Sequence, residues 1–541
     1  MAYTAHVDTF ARDRLPPEAE RPEFLFELPD LRYPARLNCA GALLDERVAR
    51  GDADRPALYA YGEGPTVVRS YGELLQRANR IAHVLQRDLA LVPGARVLLR
   101  GPNNPAMVAC WFGVLKAGCI PVTTMPLLRA RELQAIIDAA EVSTALCDHR
   151  LDEELRSAAA QCATLKNIVC FEDAGHGELE RLMAAHPAAF RNVDTAADDV
   201  ALIAFTSGTT GRPKGTIHFH RDVIVMGDCF PRACLRPSAD DVCCGTPPLA
   251  FTFGLGTMLA YPMRFGAATV LVERLTPEVL LETIQTFRAT TCFTAPTYYR
   301  RMAGLAGGFD LSSLRKCVSA GEALPDATRQ AFKQATGIEL IDGIGSTEMT
   351  HMFISHSQER ARRGATGYAL PGYRATVLDD AGAPCPPGVV GRLAVKGPTG
   401  CRYLADARQR TYVQNGWNLT GDAFRMDEDG YFYYQARTDD MIVSAGYNIA
   451  GPEVEAALLE HPAVAECGVV GVPDEERGQV VKAFVVLNPG HEACDRTARA
   501  LQEHVKAAIA PYKYPRRVQF VRELPRTESG KVQRFRLRQD G

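Results

Sequence analysis

Short apolar runs alternate with amphipathic segments through the first two thirds of the chain. Residues 95–100 predict a buried strand, residues 104–116 a helix and residues 119–123 a second strand, which together predict a βαβ unit with short connections. Upstream, residues 73–86 place their apolar side chains on one helical face. The pattern therefore predicts an α/β fold in which helices cover parallel-rich sheets. Further strands are predicted at residues 200–205, 268–272, 291–294 and 339–341, and further helices at residues 277–288 and 325–336.

The pattern changes after about residue 364, where Gly, Pro and short β-rich runs replace the helices. A hairpin that turns at Asp429-Gly430 is predicted here, so we expect a β-rich subdomain. Beyond the hairpin, the order helix, strand, strand, helix, strand predicts a small α+β domain. We therefore divide the chain into a large N-terminal domain, residues 1–436, and a small C-terminal domain, residues 437–541.

The composition is that of a globular protein, since 46% of the 541 residues are hydrophobic and 23% are charged. A formal net charge of -3 gives no electrostatic reason to expect binding to nucleic acid or to an anionic membrane. The most apolar stretch, residues 107–125, is broken by Lys116, Gly118 and Pro121, which favours a buried helix and strand over a membrane span. The start of the chain lacks the pattern of an export signal, so we expect a cytoplasmic protein that acts on small molecules.

Sixteen cysteines are scattered along the chain without a CxxC pair, which favours buried thiols over a disulfide framework. The densest group of possible metal ligands does not match a zinc-binding spacing, and we interpret it as part of the core. Its members are His218, His220, Cys229, Cys234, Cys243 and Cys244.

A loop rich in glycine and hydroxyl groups, TSGTTGRPKG at residues 206–215, directly follows a predicted strand. Its glycines allow tight turns with free amide donors, its hydroxyls donate hydrogen bonds and its lysine adds positive charge, a combination that suits a polyphosphate. It differs from a Walker A loop, which ends in Gly-Lys-Ser/Thr where this chain has Pro-Lys-Gly. A hydroxyl-rich surface loop is the structural alternative. The candidate nucleotide-binding residues are Thr206, Ser207, Gly208, Thr209, Thr210, Gly211 and Lys214.

This loop resembles the signature of the adenylate-forming superfamily, which includes acyl- and aryl-CoA ligases, firefly-type luciferases and the adenylation domains of peptide synthetases. Four more segments resemble motifs of that family in the expected order: GIGSTE from Gly343, LTGD from Leu419, a hinge segment from Ala436 and ESGKVQR from Glu528. The resemblance implies an acyl-CoA-synthetase-like fold with a mobile C-terminal domain. It also implies an enzyme that uses ATP to activate a carboxylic acid.

The resemblance implies roles for three residues near the phosphates and the ribose. Thr347 would contact the α-phosphate, and Glu348 would hold Mg²⁺, a hard ion that prefers carboxylate and phosphate oxygens. Asp422 would accept hydrogen bonds from the ribose hydroxyls. Taken alone, the Ser-Thr-Glu segment would be interpreted as a helix N-cap and Asp422 as a turn residue.

The C-terminal motifs imply a mobile domain with a hinge and a catalytic lysine. Arg437 would reach the nucleotide, and Asp439 would be the hinge on which the small domain turns. Lys531 would be the catalytic lysine that neutralises charge on the α-phosphate, whereas on composition alone its segment would be a solvated basic tail. The remaining residues that the resemblance assigns to nucleotide or coenzyme A binding are Gly321, Glu322, Asp342, Gly343 and Gly446.

The segments between the phosphate loop and GIGSTE would line the acid pocket. Their aromatic side chains suit a flat apolar slot, and no Asp stands in residues 247–256 to pair with an α-ammonium group, so we expect an aryl acid. Each of these aromatic residues could instead belong to the core. The candidate substrate-binding residues are Phe251, Phe253, Tyr298, Gly345 and His351.

The segments SAGEALP from Ser319 and DGIGSTEM from Asp342, with His351 nearby, resemble those of benzoate- and 2-aminobenzoate-CoA ligases, as does the opening segment TAHVDTFARDRLPP. We therefore expect an enzyme that makes an aryl-CoA thioester from an aromatic acid, ATP and coenzyme A, most similar to one acting on 2-aminobenzoate, with benzoate next. Two alternatives stay open: an aryl-acid adenylating enzyme that loads a separate carrier protein, and a non-catalytic nucleotide-binding regulator. The sequence leaves both a monomer and a homodimer open.

Overall fold

The computed structural model describes the whole chain except residues 1–2, 63, 173–176, 207–212, 438–439, 445–446, 475–476, 510, 527–530 and 540–541. Its strands follow the predicted alternation closely in the first two thirds. They are β1 (Pro56–Tyr61), β2 (Val67–Ser70), β3 (Arg96–Arg100), β4 (Ile120–Thr124), β5 (Thr144–Asp148), β6 (Asn167–Phe171), β7 (Val200–Thr206), β8 (Lys214–Phe219), β9 (Val242–Gly245), β10 (Ala268–Val272), β11 (Thr291–Thr294), β12 (Lys316–Ser319), β13 (Leu340–Gly345), β14 (Met352–Ser355), β15 (Tyr368–Ala369), β16 (Arg374–Leu378), β17 (Val390–Lys396), β18 (Val413–Gln414), β19 (Trp417–Met426), β20 (Phe432–Arg437), β21 (Ile442–Ser444), β22 (Tyr447–Ile449), β23 (Val464–Asp474), β24 (Gly478–Leu487) and β25 (Arg517–Phe520).

The helices cover these strands, and short 3₁₀ and π-helical turns join some of the elements. No helix in the described ranges is long and apolar enough to cross a membrane. The α-helices are α1 (Phe10–Asp13), α2 (Tyr71–His83), α3 (Pro105–Lys116), α4 (Ala130–Ala140), α5 (Asp152–Ala159), α6 (Glu178–Ala184), α7 (His220–Asp228), α8 (Thr252–Leu255), α9 (Tyr261–Phe265), α10 (Pro277–Phe287), α11 (Pro296–Leu305), α12 (Asp326–Thr336), α13 (Gln409–Tyr412), α14 (Gly451–Leu459), α15 (Asp495–Ala508) and α16 (Arg534–Gln539).

A nine-stranded sheet forms the centre of the large domain, in the order β15-β14-β13-β12-β11-β9-β10-β1-β2. Its inner strands, from β13 to β1, are parallel, whereas β14, β15 and β2 join antiparallel at the edges. The inner strands are mostly buried because helices cover both faces, as in other parallel sheets. The carboxyl end of β13 leads directly into the GSTE segment.

The predicted βαβ unit is confirmed in a second, wholly parallel sheet of order β4-β3-β5-β6. Asn104 caps the first turn of α3 by accepting from the Met107 amide, and Pro105 occupies the next position, where its missing N–H has no cost. Every residue of α3 is buried, which explains why this stretch is apolar all round. A buried helix and strand, as expected, account for the most hydrophobic part of the sequence.

The β-rich subdomain is an antiparallel sheet of order β16-β17-β19-β18, to which β20 is added beside β19. The turn between β19 and β20 includes Asp427 and Gly430, and Gly430 has φ +79°, a conformation that glycine adopts at no steric cost. This confirms the predicted hairpin. The hairpin places Asp422 and Arg437 on neighbouring strands.

The C-terminal part is an α+β unit, as predicted. The sheet has the order β22-β21-β24-β23, with β25 parallel to β24, and α14 and α15 pack on it. The basic segment at the end of the chain forms α16, whose Leu537 is buried against Val470, Phe484 and Leu524. Packing therefore orders a segment that composition alone would leave as a tail. The boundary between residues 436 and 437 stays a prediction.

The cysteines are free thiols and most are buried, as expected, with Cys170, Cys385 and Cys494 only partly buried. The His and Cys group around residues 218–244 also lies in the interior. There His220 Nδ1 lies 3.1 Å from Cys39 Sγ and His218 Nδ1 lies 3.0 Å from Thr350 Oγ1.

Candidate active site

The predicted phosphate loop is flanked in sequence by β7 and β8, which pair antiparallel. Thr206, the last residue of β7, pairs with Lys214, the first residue of β8, in the antiparallel ladder. Among the described residues of the loop, Lys214 carries the positive charge. The other predicted loop residues, Ser207, Gly208, Thr209, Thr210 and Gly211, lie outside the described residues.

One tyrosine hydroxyl joins the loop lysine to the predicted metal ligand. The Tyr403 hydroxyl donates to Glu348 Oε1 at 2.6 Å and accepts from Lys214 Nζ at 3.3 Å. Burial and the adjacent carboxylate raise the pKa of Tyr403, so the phenol remains a donor. Sequence reasoning missed Tyr403, because it lies in a segment, GCRYLAD, that matched none of the recognised motifs.

Glu348 has the chemistry expected of a divalent-cation ligand. Its side chain is buried, and it makes no ion pair within the part of the chain that the structure describes. Those same residues also contain no group of three or more His, Cys, Asp or Glu side chains that could hold a metal ion. A cation here would therefore combine one carboxylate with phosphate oxygens and water, which is how Mg²⁺ is commonly held.

The turn that carries Thr347 and Glu348 follows β13 and is held by two hydrogen bonds that involve Thr350. The Thr347 carbonyl accepts from the Thr350 amide at 3.1 Å, and Thr350 has φ +70°. His218, buried behind the turn, hydrogen-bonds the Thr350 hydroxyl. Burial lowers the pKa of His218 to about 4, so its imidazole is neutral. Thr347 itself is only half-buried and remains accessible.

Asp422 and Arg437 form a cross-strand pair in the β19–β20 ladder. Arg437 Nη1 donates to Asp422 Oδ1 at 3.1 Å and to the Thr420 carbonyl at 3.0 Å. Gly421 has φ +77°, and a Cβ there would lie 2.7 Å from Arg437 Nη2. Glycine is therefore required for the guanidinium to pack over this turn. Burial raises the pKa of Asp422, whereas Arg437 opposes that rise.

Lys531, from the end of the chain, reaches the same region. A Cβ built on Gly321 would lie 3.8 Å from Lys531 Cε. The positive charge of Lys531 also opposes the rise in the pKa of Asp422, so the two side chains lie within electrostatic reach. The structure thus brings the predicted catalytic lysine to residues of the large domain that lie far from it in sequence.

Of two further carboxyl groups predicted at the nucleotide site, Asp342 is buried and Glu322 is half-buried. Burial raises the pKa of both Asp342 and Glu322. Glu322 Oε2 accepts from the Thr297 hydroxyl at 2.9 Å. Gly343 follows Asp342 in β13, and a Cβ on it would lie 3.0 Å from Met352 Sδ, so the backbone packs closely there.

His351 lies among aromatic rings, with centroids 4.8 Å from Tyr261 and 5.8 Å from Phe253. Its Nε2 lies 3.3 Å from the Phe253 carbonyl, and its Nδ1 hydrogen-bonds the Tyr261 hydroxyl. Because a carbonyl can only accept, we assign the proton to Nε2 and make Nδ1 the acceptor from Tyr261. Burial lowers the pKa of His351 to about 3, so the ring is neutral. Sequence reasoning missed Tyr261, which carries no motif.

Two glycines leave room around this histidine. A Cβ on Gly345 would lie 2.7 Å from the carbonyl carbon of His351, and a Cβ on Gly256 would collide with the imidazole ring. Gly345 is exposed, so its backbone borders open space. The structure therefore brings Gly345, Phe253 and His351 together.

Of the other two predicted substrate residues, Phe251 lies two positions before Phe253 and Tyr298 lies on α11. Phe251 is half-buried just before α8. Tyr298 packs in a different hydrophobic cluster from Phe253, and its hydroxyl donates to the Leu275 carbonyl at 2.9 Å. A role of Phe251 and Tyr298 in acid binding stays a prediction.

Comparison with known proteins finds relatives over most of the chain. A family model described as AMP-binding enzyme matches residues 45–403, and one described as AMP-binding enzyme C-terminal domain matches residues 453–531. A benzoate–CoA ligase of Thauera aromatica is 33% identical over 94% of this chain and 97% of its own. A crystal structure of an anthranilate CoA ligase in complex with anthranoyl-AMP has a TM-score of 0.89 and 32% identity, covering 95% of this chain and 99% of that one. A benzoate CoA ligase from Burkholderia xenovorans has a TM-score of 0.84 and 31% identity, covering 93% and 100%.

This chain belongs to the AMP-binding enzyme family. The solved relatives span nearly its whole length, which confirms the predicted acyl-CoA-synthetase-like fold, with a large N-terminal α/β domain and a smaller C-terminal one. The predicted similarity to the aryl-CoA ligase branch is likewise confirmed.

Proposed function

We propose that this chain is an AMP-forming ligase that joins an aromatic carboxylic acid to coenzyme A, with 2-aminobenzoate or benzoate as the acid. One observation carries the proposal: Lys531 of the C-terminal domain lies beside Gly321 and within electrostatic reach of Asp422 in the large domain. A basic tail without a role at the site would have no reason to reach these residues.

In the first half-reaction, an oxygen of the acid's carboxylate attacks the α-phosphorus of ATP. The bond from that phosphorus to the bridging β-oxygen breaks, and pyrophosphate leaves with the bond's electron pair. The Lys531 ammonium neutralises charge that develops on the α-phosphate, and Lys214 holds the departing phosphates. Mg²⁺ held by Glu348 would supply further charge neutralisation. Thr347, which is half-buried at the turn after β13, contacts the α-phosphate in this proposal.

The adenosine part of ATP is assigned to the remaining polar residues. Asp422 accepts from the ribose hydroxyls, and Arg437, its cross-strand partner, keeps that carboxylate oriented. The residues proposed to surround the adenine ring and its sugar are Gly321, Glu322, Asp342 and Gly343. Asp342 is buried and the backbone packs closely at Gly343, whereas Gly321 is exposed, so these residues support a site that is closed on one side and open on the other.

In the second half-reaction, the thiol sulfur of coenzyme A attacks the acyl carbon of the acyl-adenylate. The carbon–oxygen bond to AMP breaks, AMP leaves and the thiol proton passes to solvent. We propose that the small domain turns about Asp439 between the two steps and that Gly446 lines the pantetheine path. Both residues lie outside the described part of the chain, so these roles rest on the family resemblance.

The proposed acid pocket is aromatic and uncharged. His351 is neutral and both of its ring nitrogens already have partners, so it offers a ring face rather than a charge. Together with Phe253 it suits a planar ring. Gly345 leaves room at the edge where the acid's carboxyl group would meet the α-phosphate.

A panel of acids tests the proposal. Purified protein is incubated with ATP, Mg²⁺, coenzyme A and benzoate, 2-aminobenzoate, other ring-substituted benzoates or aliphatic acids, and the acyl-CoA product is measured by mass. We expect thioester and AMP with an aryl acid. Adenylate without thioester would favour the carrier-loading alternative, and no adenylate from any aryl acid would overturn the proposal.

A further inference from the structure

Helix α11 of the large domain contacts one corner of the C-terminal domain. Arg300 Nη2 donates to the Val464 carbonyl at 2.8 Å and to the Leu459 carbonyl at 3.4 Å. Leu459 is the last residue of α14, and Val464 is the first residue of β23. A single guanidinium on the large domain therefore binds two backbone carbonyls where a helix and a strand of the small domain meet.

The chemistry of this corner favours a cation. The last carbonyls of a helix have no partner within the helix and carry the negative end of its dipole. Arg300 is half-buried, and it has no carboxylate partner in the ranges that the structure describes. Burial lowers the pKa of Arg300, and the nearby Glu466 carboxylate opposes that decrease. The two carbonyls accept hydrogen bonds from the half-buried guanidinium.

The next residue begins a chain of ion pairs that crosses the interface twice. Arg301 pairs with Glu466 at 2.6 Å, Glu466 pairs with Arg526 at 2.8 Å, and Arg526 approaches Glu322 at 3.6 Å. Arg301 and Glu322 belong to the large domain, whereas Glu466 and Arg526 belong to the small one. Both the corner at Arg300 and this chain exist only while the domains hold this relative position.

The interface contacts end beside Lys531. Arg526 forms an antiparallel bridge with Val532, the residue after Lys531. Glu322 follows Gly321, the glycine closest to the Lys531 side chain. The position of Lys531 therefore depends on how the C-terminal domain is seated on α11 and on the segment after β12.

We propose that Arg300 is a positioning residue that favours the domain arrangement used for adenylate formation. The inference rests on the proposed function, because it assigns Lys531 to the first half-reaction. Within the described part of the chain, Arg300 makes no hydrogen bond to a candidate nucleotide-binding or acid-pocket residue, and it acts by seating α14 and β23. Its removal weakens the arrangement that places Lys531 beside Gly321 and leaves the second half-reaction intact.

Measuring the two half-reactions separately distinguishes a positioning role of Arg300 from a general loss of enzyme activity. Arg300→Met removes the donors and keeps a long side chain, Arg300→Lys keeps the charge, and Arg50→Met removes an exposed arginine paired within one helix to Glu46. We expect Arg300→Met to slow adenylate formation about tenfold, the size typical for a lost hydrogen bond to a charged group. Arg300→Lys should recover part of this rate and Arg50→Met should match the wild type. Thioester formation from supplied acyl-adenylate should keep its wild-type rate in all three variants.

Equal losses in both half-reactions of Arg300→Met, or no loss in either, would overturn the inference.

A measurement of domain position tests the same inference without catalysis. Dyes placed through unnatural amino acids at two exposed sites, Val68 on the large domain and Tyr512 on the small one, report the inter-domain distance by energy transfer. We expect Arg300→Met to deplete the population with the wild-type distance and Arg50→Met to leave it unchanged. An identical distance distribution in wild type and Arg300→Met would overturn the positioning role. Failure of the wild type to form any adenylate would instead count against the proposed function.

Discussion

The nucleotide side and the acid side of the candidate site are built in different ways. The nucleotide side uses charged groups from segments far apart in sequence. Lys214, Glu348 and Asp422 are held by hydrogen bonds or an ion pair, and Lys531 lies beside Gly321. The acid side uses neutral rings and glycines, and its histidine is kept uncharged by burial. We therefore expect charge to position the polyphosphate and the shape of the packing to select the acid. Substitutions on the two sides should therefore have separable effects.

The largest effect should come from Lys531. Lys531→Ala removes the charge that stabilises the α-phosphate in the transition state, so we expect adenylate formation to fall by at least about 100-fold. Thioester formation from pre-made adenylate should change far less. Rapid-quench measurement of each half-reaction checks this, and equal losses would contradict the assignment of Lys531 to one step.

A smaller effect is expected at Tyr403. Tyr403→Phe removes the hydroxyl shared by Lys214 and Glu348 while keeping the ring, so the KM for MgATP should rise about tenfold and the KM for the acid should not. The rise in melting temperature on adding MgATP should shrink as well. Tyr412→Phe is the matched control, since Tyr412 packs against Tyr403 and its hydroxyl contacts Ser346 at 3.3 Å. Wild-type MgATP affinity in Tyr403→Phe would contradict a role for the Tyr403 hydroxyl in nucleotide binding.

A substitution on the acid side should have the opposite pattern, raising the KM for the acid and not the KM for MgATP. Gly256→Ala pushes on the His351 ring, so we expect the KM for the aryl acid to rise by about five- to tenfold and the KM for MgATP to stay constant. Gly304→Ala adds the same methyl group where nothing lies within 4 Å and serves as the control. Steady-state kinetics with each substrate varied in turn check the separation. Parallel changes in both KM values would contradict the division of the site.

The smallest effect concerns pH. Burial lowers the pKa of His351 to about 3 and of His218 to about 4, from an ordinary value of 6.5. Between these values the unfolded chain binds more protons than the folded one, so the free energy of unfolding should fall as pH drops below about 6.5. Each group contributes at most about 1.4 kcal/mol per pH unit. Urea unfolding at pH 7 and pH 5 should show a smaller loss for His351→Gln than for wild type, and an equal loss would argue against a buried neutral His351.

Motifs that carry charge or glycine at fixed spacing were predictable from the sequence. The GSTE turn and the Asp422 hairpin have local signatures, because each needs particular residue types within a few positions. The loop before Lys214 has such a signature too, and its role stays a prediction. The strands and helices of the large domain were predictable for a similar reason, since their apolar periodicity is local. The prediction for the hairpin at Asp429-Gly430 matched the structure within a residue or two.

Contacts between distant segments were not predictable. Tyr403 contacts Glu348 and Tyr261 contacts His351 only because separate strands and helices meet in the folded chain. A tyrosine without a motif has no local signal for such a role. The same holds for Arg300, because its partners are backbone carbonyls, which every residue has whatever its side chain.

Formation of an acyl-adenylate by the purified protein in a single turnover is the most direct test of the central claim. Enzyme in excess over ATP is mixed with Mg²⁺ and 2-aminobenzoate or benzoate without coenzyme A, then quenched and analysed by mass, and coenzyme A is added to a second portion. We predict one aryl-adenylate and one pyrophosphate per ATP consumed, with conversion to aryl-CoA and AMP after the addition. ATP that binds but yields no adenylate with any aryl acid would contradict the claim.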